Sequence, residues 1–373
     1  MRQVEWGEYK IREFLNWQPQ KEIDPLKLDI LTDSTEKIYP FYGQATINNG
    51  IISYNQLRRE VLNNKEGRPT ILIHSNNQNI VYVETPFYLK DGHGATSVLQ
   101  SEHLNKTNQM FIIAVIDRVI KEKYSYNHKA TKIELKNTIV NLPVKNGRID
   151  FDFMENFIAE LEALHIANLK AYLSVTGLND YILTEEEERA LEIYPALNFK
   201  EYDILDVFSV KNTSNILSCD ITESSGSTPY LCASSENNSV SSYIKYDENY
   251  LEDGNCIFIG GKTFVVSYQE HNFYSNDSHN LSLYLNNQNA RTKLHQLYLA
   301  TCVYKSLSHK YSWGDSVSKT KIKNDRISLP TKDGKPDFDI MQTFISAIQK
   351  LVIKDVVKYS EEKISATKLV TEN

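Results

Sequence analysis

The chain has 373 residues, a formal net charge of −7, 41% hydrophobic residues and 11% aromatic residues. This composition excludes a disordered protein, and the length allows two or more domains with proper cores. No apolar run approaches the ~20 residues that a membrane span needs, and the first residues do not form a signal peptide, so we expect a cytoplasmic protein without membrane contact.

In chain order, two similar sets of elements follow one another. Each set predicts two strands around an Asn-rich turn, a central apolar strand, a helix, and a closing loop with aromatic and basic residues. In the first set these segments are residues 39–44 and 51–54 around 48–50, then 71–74, 109–122 and 124–129. In the second set they are residues 228–233 and 240–243 around 237–239, then 257–259, 290–306 and 311–316.

Each set ends in the same motif. A Leu-Pro pair, a Gly-containing polar turn and an Asp-Phe-Asp sequence occur at residues 142–152 and again at residues 329–339. The spacing between the two copies is constant over about thirty positions, which indicates a tandem duplication.

A long amphipathic helix follows each motif, because apolar residues recur every three or four positions. The first helix is predicted over residues 152–176, with Asp152 as N-cap or first-turn acid and Gly177 as its end, and is about 37 Å long at 1.5 Å per residue. The two stripes are Met154, Phe157, Ile158, Leu161, Leu164, Leu169, Tyr172 and Leu173, and Met341, Phe344, Ile345, Ile348, Leu351, Val352, Val356 and Tyr359.

We expect these two helices to pair as an antiparallel coiled coil, because a large domain lies between them. The alternative, that each helix packs only on its own domain, stays open. The predicted fold class is therefore α+β, with two tandem α/β domains and two long helices in a pseudo-twofold repeat. The predicted divisions are residues 1–149 (first domain), 150–192 (helix and linker), 193–336 (second domain), 337–360 (helix) and 361–373 (flexible tail).

Charge is unevenly distributed. Residues 150–192 carry a net charge of −9, which leaves +2 for the rest of the chain. An acidic connector between mildly basic domains is compatible with domains that approach DNA while the connector avoids it. A solvated acidic helix face without further meaning is the alternative.

Catalytic and metal-binding motifs are missing from the sequence. It contains no glycine-rich phosphate loop, no Gly-x-Ser-x-Gly elbow, no Asn-Pro-Pro-aromatic methyltransferase signature and no His-Glu-x-x-His. The four cysteines lack metal-binding spacing and predict buried or half-buried free thiols. Residues 134–136 are a weak nuclease candidate, but they lack a partner acid and we expect a strand there. We therefore predict no catalytic residue, no metal and no cofactor.

The polar loops differ between the copies although the framework matches, as expected for two recognition modules with different targets. Asn and Gln can read an adenine edge, Lys can read guanine or bind phosphate, and Ser or Thr can bond either kind of base. Each such residue could also be an ordinary turn residue. The candidate DNA contacts are Tyr42, Gln44, Thr46, Asn48, Asn49, His74, Asn76, Asn77, Tyr126, His128, Lys129 and Lys132 in the first copy, and Ser234, Ser235, Asn237, Asn238, Lys262, Thr263, Trp313, Lys319 and Lys321 in the second.

These motifs resemble those of a specificity (S) subunit of a type I restriction–modification system, including the type IIB-like branch with a separate specificity subunit. The resemblance covers residues 5 to 359. The second copy departs from the pattern at Cys232-Ala233, where the first has Gly43-Gln44. The residues that carry the resemblance are Trp6-Gly7-Glu8-Tyr9-Lys10-Ile11, Tyr39-Pro40-Phe41-Tyr42-Gly43, Asn48-Asn49-Gly50, Leu142-Pro143, Asp150-Phe151-Asp152-Phe153-Met154, Ala171-Tyr172-Leu173 and Gly177-Leu178.

The resemblance implies two target-recognition domains that each read half of a bipartite, asymmetric site in double-stranded DNA. The paired helices would hold the domains apart by a distance close to one DNA turn of ~34–36 Å. They would also dock two methyltransferase (M) subunits and, indirectly, restriction (R) nuclease subunits, which would do the chemistry. Two alternatives stay open: a stand-alone DNA-modifying enzyme, and a duplicated scaffold or decoy that binds methyltransferase subunits without reading DNA.

Overall fold

The structure is a computed structural model that describes residues 4–125 and 127–371, with side chains described up to residue 365. It divides into two compact units, Leu169–Ala366 being the second, while the chain up to Asn168 and from Thr367 onward forms the first. The boundary falls inside a long helix, whereas the sequence predicted a division by repeat. The predicted domain boundaries therefore stay predictions.

The first unit is a mixture of short strands and helices. Its strands are β1 (Glu5–Lys10), β2 (Asn16–Trp17), β3 (Glu22–Ile23), β4 (Tyr39–Tyr42), β5 (Ile51–Asn55), β6 (Thr70–His74), β7 (Ile80–Val83), β8 (Tyr88–Lys90), β9 (Thr96–Gln100), β10 (Ile139–Lys145) and β11 (Arg148–Ile149). Its helices are α1 (Leu28–Leu31), α2 (Asn108–Lys123), α3 (Lys132–Asn137) and the start of α4 (Phe151–Val175). The strands form three sheets with the orders β1-β10-β11, β2-β9-β6-β7 and β3-β8-β4-β5.

The second unit repeats this plan. Its strands are β12 (Phe199–Asp203), β13 (Phe208–Asn212), β14 (Thr228–Leu231), β15 (Val240–Ile244), β16 (Cys256–Ile259), β17 (Val266–Gln269), β18 (Tyr274–Ser275), β19 (Leu281–Leu285), β20 (Arg326–Lys332) and β21 (Lys335–Pro336). Its helices are α5 (Glu185–Ile193), α6 (Ile204–Val207), α7 (Lys293–Leu307), α8 (Lys319–Ile322) and α9 (Phe338–Thr371). The sheets are β12-β20-β21, β13-β19-β16-β17 and β15-β14-β18.

The register of the paired strands confirms that the two sequence repeats have the same structure. Trp6 lies opposite Pro143 in the first unit, and Phe199 lies opposite Pro330 in the second. The central strands β6 and β16 are buried along their whole length, as expected for continuous apolar runs. The α+β fold class with two tandem mixed domains is therefore confirmed.

The two long helices begin in the same way. The Asp150 side chain accepts a hydrogen bond from the Phe153 N–H at 2.9 Å, and the Asp337 side chain accepts one from the Ile340 N–H at 3.1 Å. Asp150 is therefore the N-cap. Asp152 was predicted as either the N-cap or an acid of the first turn, and it is the first-turn acid. Both helix starts pack on their own units, because Met154 and Met341 are fully buried in the two main cores.

Helix α4 ends at Val175, and Gly177 forms the left-handed turn that was predicted to stop it. Gly177 has a φ of +70°, and the Leu178 N–H donates to Leu173 O at 2.9 Å, which is the hydrogen bond of a Schellman motif. Only glycine adopts this left-handed conformation without strain. After this turn the linker residues Asp180 and Glu187 pair with Lys350 of α9.

Other predicted elements are mostly confirmed, with two exceptions. Helices α2 and α7 occupy the segments predicted for them, although α7 starts at Lys293 because Gln288–Ala290 forms a 3-10 turn. The strand predicted at residues 134–136 is wrong: Thr131 and Glu134 cap each other's backbone N–H, and this capping box starts α3. The chain after Tyr359 was predicted to fray, but α9 continues to Thr371.

Within the described residues, no helix combines the length and the apolarity that crossing a membrane requires.

Candidate nucleic-acid interface

In the first unit, loops that follow β4, β6 and β8 meet with the loop before α3. We name residues 43–49, 75–79, 91–95, 125 and 127–131 the first loop cluster. Two backbone hydrogen bonds join three of its loops, since the Ser75 N–H donates to Ala95 O at 2.8 Å and the Ala130 N–H donates to Ser75 O at 3.2 Å. Segments that are distant in sequence therefore form one surface.

Side-chain amides join the remaining loop, residues 43–49, to the loop that follows β6. The Asn76 amide donates to Gln44 Oε1 at 2.8 Å, and the Asn77 amide donates to the Gln44 backbone carbonyl at 2.7 Å. The Asn79 amide donates to Ala45 O at 2.9 Å. Beside this network lies a cavity of about 270 Å³, which is lined by Gly43, Gln44, Lys90, Asp91, Gly92 and Thr96.

The second unit has an equivalent surface, and we name residues 232–238, 260–265, 276–280 and 312–317 the second loop cluster. The Val317 N–H donates to Gly261 O at 3.1 Å, and the Thr263 hydroxyl donates to Ala233 O at 2.9 Å. Lys262 Nζ lies 3.3 Å from Asp277 Oδ2. The four loops therefore also form one surface here.

Charged groups differ between the two clusters. Burial alone would raise the pKa of Asp277, but hydrogen bonds from His279 and Lys262 outweigh it and hold the pKa below its ordinary value. In the first cluster a hydrogen bond from the backbone N–H of His93 is the main reason that the pKa of Asp91 is lowered. Both carboxyl groups are therefore ionised at neutral pH and accept hydrogen bonds only.

Two predicted contact residues lie in the core, and this corrects the sequence-based prediction. The aromatic ring of Tyr42 packs against Phe87, with 5.7 Å between the ring centroids. His74 is fully buried, its Nδ1 lies 2.9 Å from Thr96 Oγ1, and its Nε2 finds no hydrogen-bond partner among the described residues. Burial lowers the pKa of His74 to about 4, so the ring is neutral. Neither side chain can reach a base edge in this conformation.

The asparagines of the two Asn-rich turns shape the backbone. Asn49 and Asn238 have positive φ angles of 49° and 51°, which asparagine tolerates better than most residues. The amides of Asn48 and Asn237 donate to the carbonyls of Ile51 and Val240 at 3.2 and 3.0 Å. The alternative of ordinary turn residues therefore has direct support at these positions, although all four side chains are exposed.

Several predicted residues have specific partners at the surface. Lys132 Nζ donates to Gln20 Oε1 at 3.1 Å, and His128 Nε2 lies 3.2 Å from Glu134 Oε1. Lys321 pairs with Asp315 and donates to Ser316 O at 2.9 Å, which fixes the turn that carries Trp313. The Trp313 side chain is 75% exposed.

The remaining predicted residues lie at or near the surface. Thr46, Lys129, Ser235 and Thr263 are exposed, and Gln44, Asn76, Ser234 and Lys319 are partly buried. Tyr126 lies outside the described residues. The two loop clusters thus bring together most of the predicted contact residues of each copy.

Sequence reasoning missed one feature of both clusters. An Asp-x-His sequence occurs at Asp91–His93 and at Asp277–His279, and in each case the histidine Nδ1 lies close to the aspartate Oδ1, at 3.4 and 2.7 Å. Its recurrence in both copies was a signal that could have been read from the sequence.

No group of three or more His, Cys, Asp or Glu residues in the described part of the chain could hold a metal ion.

Comparison with known proteins agrees with this architecture. The model of the type I restriction modification DNA specificity domain family matches residues 3–171 and again residues 197–359. The chain is 24% identical over 254 residues to the "Type II restriction enzyme BgcI specificity subunit S.BcgI" of Heyndrickxia coagulans, which covers 67% of this chain and 69% of that protein. The crystal structure of the type I restriction-modification system S subunit from M. genitalium has a similar fold, with a TM-score of 0.60 and 11% identity over 100% of this chain and 95% of that one. The two matches of the family model, one per repeat, show that the chain belongs to the type I restriction-modification DNA specificity family and is a non-catalytic specificity subunit of a restriction-modification system.

Proposed function

We propose that this subunit reads a bipartite, asymmetric DNA target, with one half-site bound by each loop cluster and an unread gap between them. One observation carries this proposal: the two clusters share a backbone framework but present different side chains. A duplicated framework with different reading groups suits two unlike half-sites.

The chemistry of the exposed side chains supports duplex DNA as the ligand. Asn77, Lys262 and Thr263 offer hydrogen-bond donors and acceptors of the kinds that read base edges in the major groove. Lys129 is exposed and can approach a phosphate, which would position the first domain without specifying sequence. Trp313 offers an exposed aromatic surface that can pack against a deoxyribose or the edge of a base.

The long helices are the proposed docking surface for two methyltransferase subunits and, through them, for nuclease subunits. Leu164 of α4 is 56% exposed and Val352 of α9 is 74% exposed, although both belong to apolar stripes. Exposed apolar stripes of this kind mark protein–protein interaction sites. Their mutual pairing as an antiparallel coiled coil remains part of the proposal.

Two cavities in the second unit add to this surface. One, of about 650 Å³, lies between α7, α9 and the strands β12 and β20, and has Tyr298, Cys302 and Phe344 in its lining. The other, of about 590 Å³, has Tyr172 near the end of α4 and Val352 of α9 in its lining. Both are lined largely by apolar and aromatic side chains, which favour apolar side chains of a partner.

The test is to co-express the subunit with its methyltransferase partner and to select binding sites from a library of random DNA duplexes. We expect two short base clusters at a fixed separation, and binding that weakens steeply with salt. Replacing residues 1–149 by those of a relative with another target should change one cluster and leave the other unchanged. A change in both clusters would contradict the modular assignment.

The two alternatives have their own outcomes in this experiment. Methylation or cleavage by the purified subunit without any partner would identify a stand-alone enzyme. A stable complex with methyltransferase that selects no sequence would identify a scaffold.

A further inference from the structure

The two loop clusters can be compared position by position, because the same hydrogen bonds hold both. The His74 N–H donates to Asn79 O and the Gly260 N–H donates to Val265 O, so the loops after β6 and β16 have equal lengths. A second hydrogen bond also matches between the clusters. The Asn77 side chain donates to Gln44 O, and the Thr263 side chain donates to Ala233 O.

This common framework identifies two positions where the chemistry differs. Gln44 of the first cluster corresponds to Ala233 of the second, because both carbonyls accept the framework hydrogen bond. Asn76 corresponds to Lys262, because each directly precedes the donor of that bond. The first cluster therefore presents an amide pair where the second presents a methyl group and an amine.

The amide of Gln44 is held in one orientation. Its Oε1 accepts from Asn76 at 2.8 Å, and its Nε2 lies over Gly92, where an added Cβ would come within 3.0 Å of that nitrogen. Oε1 keeps a second lone pair, and Nε2 has no hydrogen-bond partner among the described residues, so the side chain still offers an acceptor and a donor. Adenine alone among the bases presents the complementary donor and acceptor, N6–H and N7, side by side in the major groove.

The second cluster offers a different pair of groups. Lys262 has only donors, and the carboxylate of Asp277, 3.3 Å from Lys262 Nζ, has only acceptors. A G·C pair presents two acceptors on guanine and a donor on cytosine in the major groove. The adjacent amine and carboxylate match the acceptors of guanine and the donor of cytosine. A phosphate is not expected at this place, because the carboxylate would repel it.

From this comparison we infer that Gln44, oriented by Asn76, reads an adenine in the first half-site, and that Lys262 with Asp277 reads a G·C pair in the second. The inference rests on the proposed function and makes these four side chains specificity-determining. It requires that the two positions lie at equivalent places in their half-sites.

The first experiment uses the unaltered chain in complex with its methyltransferase partner and the duplex selected for it. Replacing single adenines of one half-site by 7-deazaadenine, and single guanines of the other by 7-deazaguanine, removes the N7 acceptor and leaves base pairing intact. We expect one position in each half-site where the analogue weakens binding about ten-fold. Full affinity with the analogue at every position would overturn the inference.

The second experiment assigns these positions to residues. In library selections, Gln44→Ala should remove the adenine preference at one position of the first half-site and leave the second half-site unchanged. Lys262→Met should remove the guanine preference at one position of the second half-site, while Lys262→Arg should retain it, because both lysine and arginine donate to guanine O6 and N7. Asn141→Lys is the control for charge, because Asn141 is exposed in β10, outside both clusters, and its change should not alter base preference.

The outcomes separate the inference from the proposed function. If the unaltered complex selects no bipartite sequence, the proposed function fails. If it does select one, but Lys262→Met weakens binding equally for all sequences, then Lys262 binds phosphate and the assignment to guanine is wrong. If Gln44→Ala lowers the melting temperature without changing base preference, the amide pair is structural and the assignment to adenine is wrong.

Discussion

Lys350 Nζ of helix α9 lies 3.0 Å from Glu187 Oε2 of helix α5 and 2.9 Å from Asp180 Oδ2 of the linker. Ser346, one turn earlier in α9, donates to the other oxygen of Glu187 at 2.6 Å. Burial alone would raise the pKa of Glu187, but the hydrogen bonds from Ser346, Thr184 and Lys350 outweigh it and lower the pKa. Two of the acids that make the linker acidic are therefore bound within the second unit.

The first prediction concerns this ion pair. The side chains of Lys350 and Glu187 are only 15% and 8% exposed, so removing one leaves the other charge poorly solvated. Lys350→Met should lower the free energy of unfolding of the second unit by about 2 kcal/mol, measured by chemical denaturation. Lys358→Met, an exposed site in the same helix, should change it by less than about 0.5 kcal/mol. Equal effects of the two changes would contradict the role given to Lys350.

The second prediction concerns pH and His74. Its pKa is about 4 in the folded chain against 6.5 for the free side chain, so the unfolded state binds more protons between these values. The stabilising effect of neutral His74 is complete above pH 6.5 and is lost as the pH falls toward 4, by about 3 kcal/mol in total.

Comparison with a variant isolates this effect from that of other groups. Between pH 7 and pH 4, His74→Leu should lose about 3 kcal/mol less unfolding free energy than the unaltered chain, although it is less stable at pH 7. His165→Asn removes an exposed histidine of α4 and should keep the original pH dependence. If His74→Leu kept the original pH dependence and His165→Asn reduced it, the ring of His74 would be accessible to protons in the folded state.

The third prediction concerns Trp313, which rests on the proposed DNA contact. Because its side chain is largely exposed, Trp313→Ala should leave the melting temperature unchanged. It should weaken binding of the methyltransferase complex to its selected duplex about ten-fold, since truncating a tryptophan at the centre of an interface typically costs more than ~1 kcal/mol. Tyr304→Ala, an exposed aromatic site on α7, should leave DNA affinity unchanged. A loss of affinity in both variants would point to an indirect effect.

The fourth prediction concerns thiol reactivity. Burial raises the pKa of Cys256 and of Cys302 to about 12, so at neutral pH neither forms the reactive thiolate. Cys219 is exposed. In the folded protein a thiol reagent should therefore modify Cys219 first, and Cys219→Ser should remove the fast phase. Fast reaction of Cys256 before unfolding would contradict the structure of the second unit.

Local sequence patterns were enough to identify the duplication, the fold class and the two long helices. Apolar residues three or four positions apart predicted α4 and α9, and Gly177 marked the end of α4, because helix geometry is set by near neighbours. Helix α5 was not predicted, because its segment was assigned to the linker. The one short helix that was taken for a strand, α3, also carried a local signal in its Thr131–Glu134 capping box. These features depend on a few adjacent residues and can be read without knowledge of the fold.

Only the tertiary structure decided which polar residues are available to a ligand. His74 and Thr96 lie on paired strands, β6 and β9, and their contact removes the imidazole from the surface, whereas Lys262 stays exposed and meets Asp277. The equivalence of Asn76 with Lys262 likewise rests on hydrogen bonds between loops about thirty residues apart. Burial and pairing of this kind arise from contacts that are distant in sequence, so composition and periodicity do not encode them.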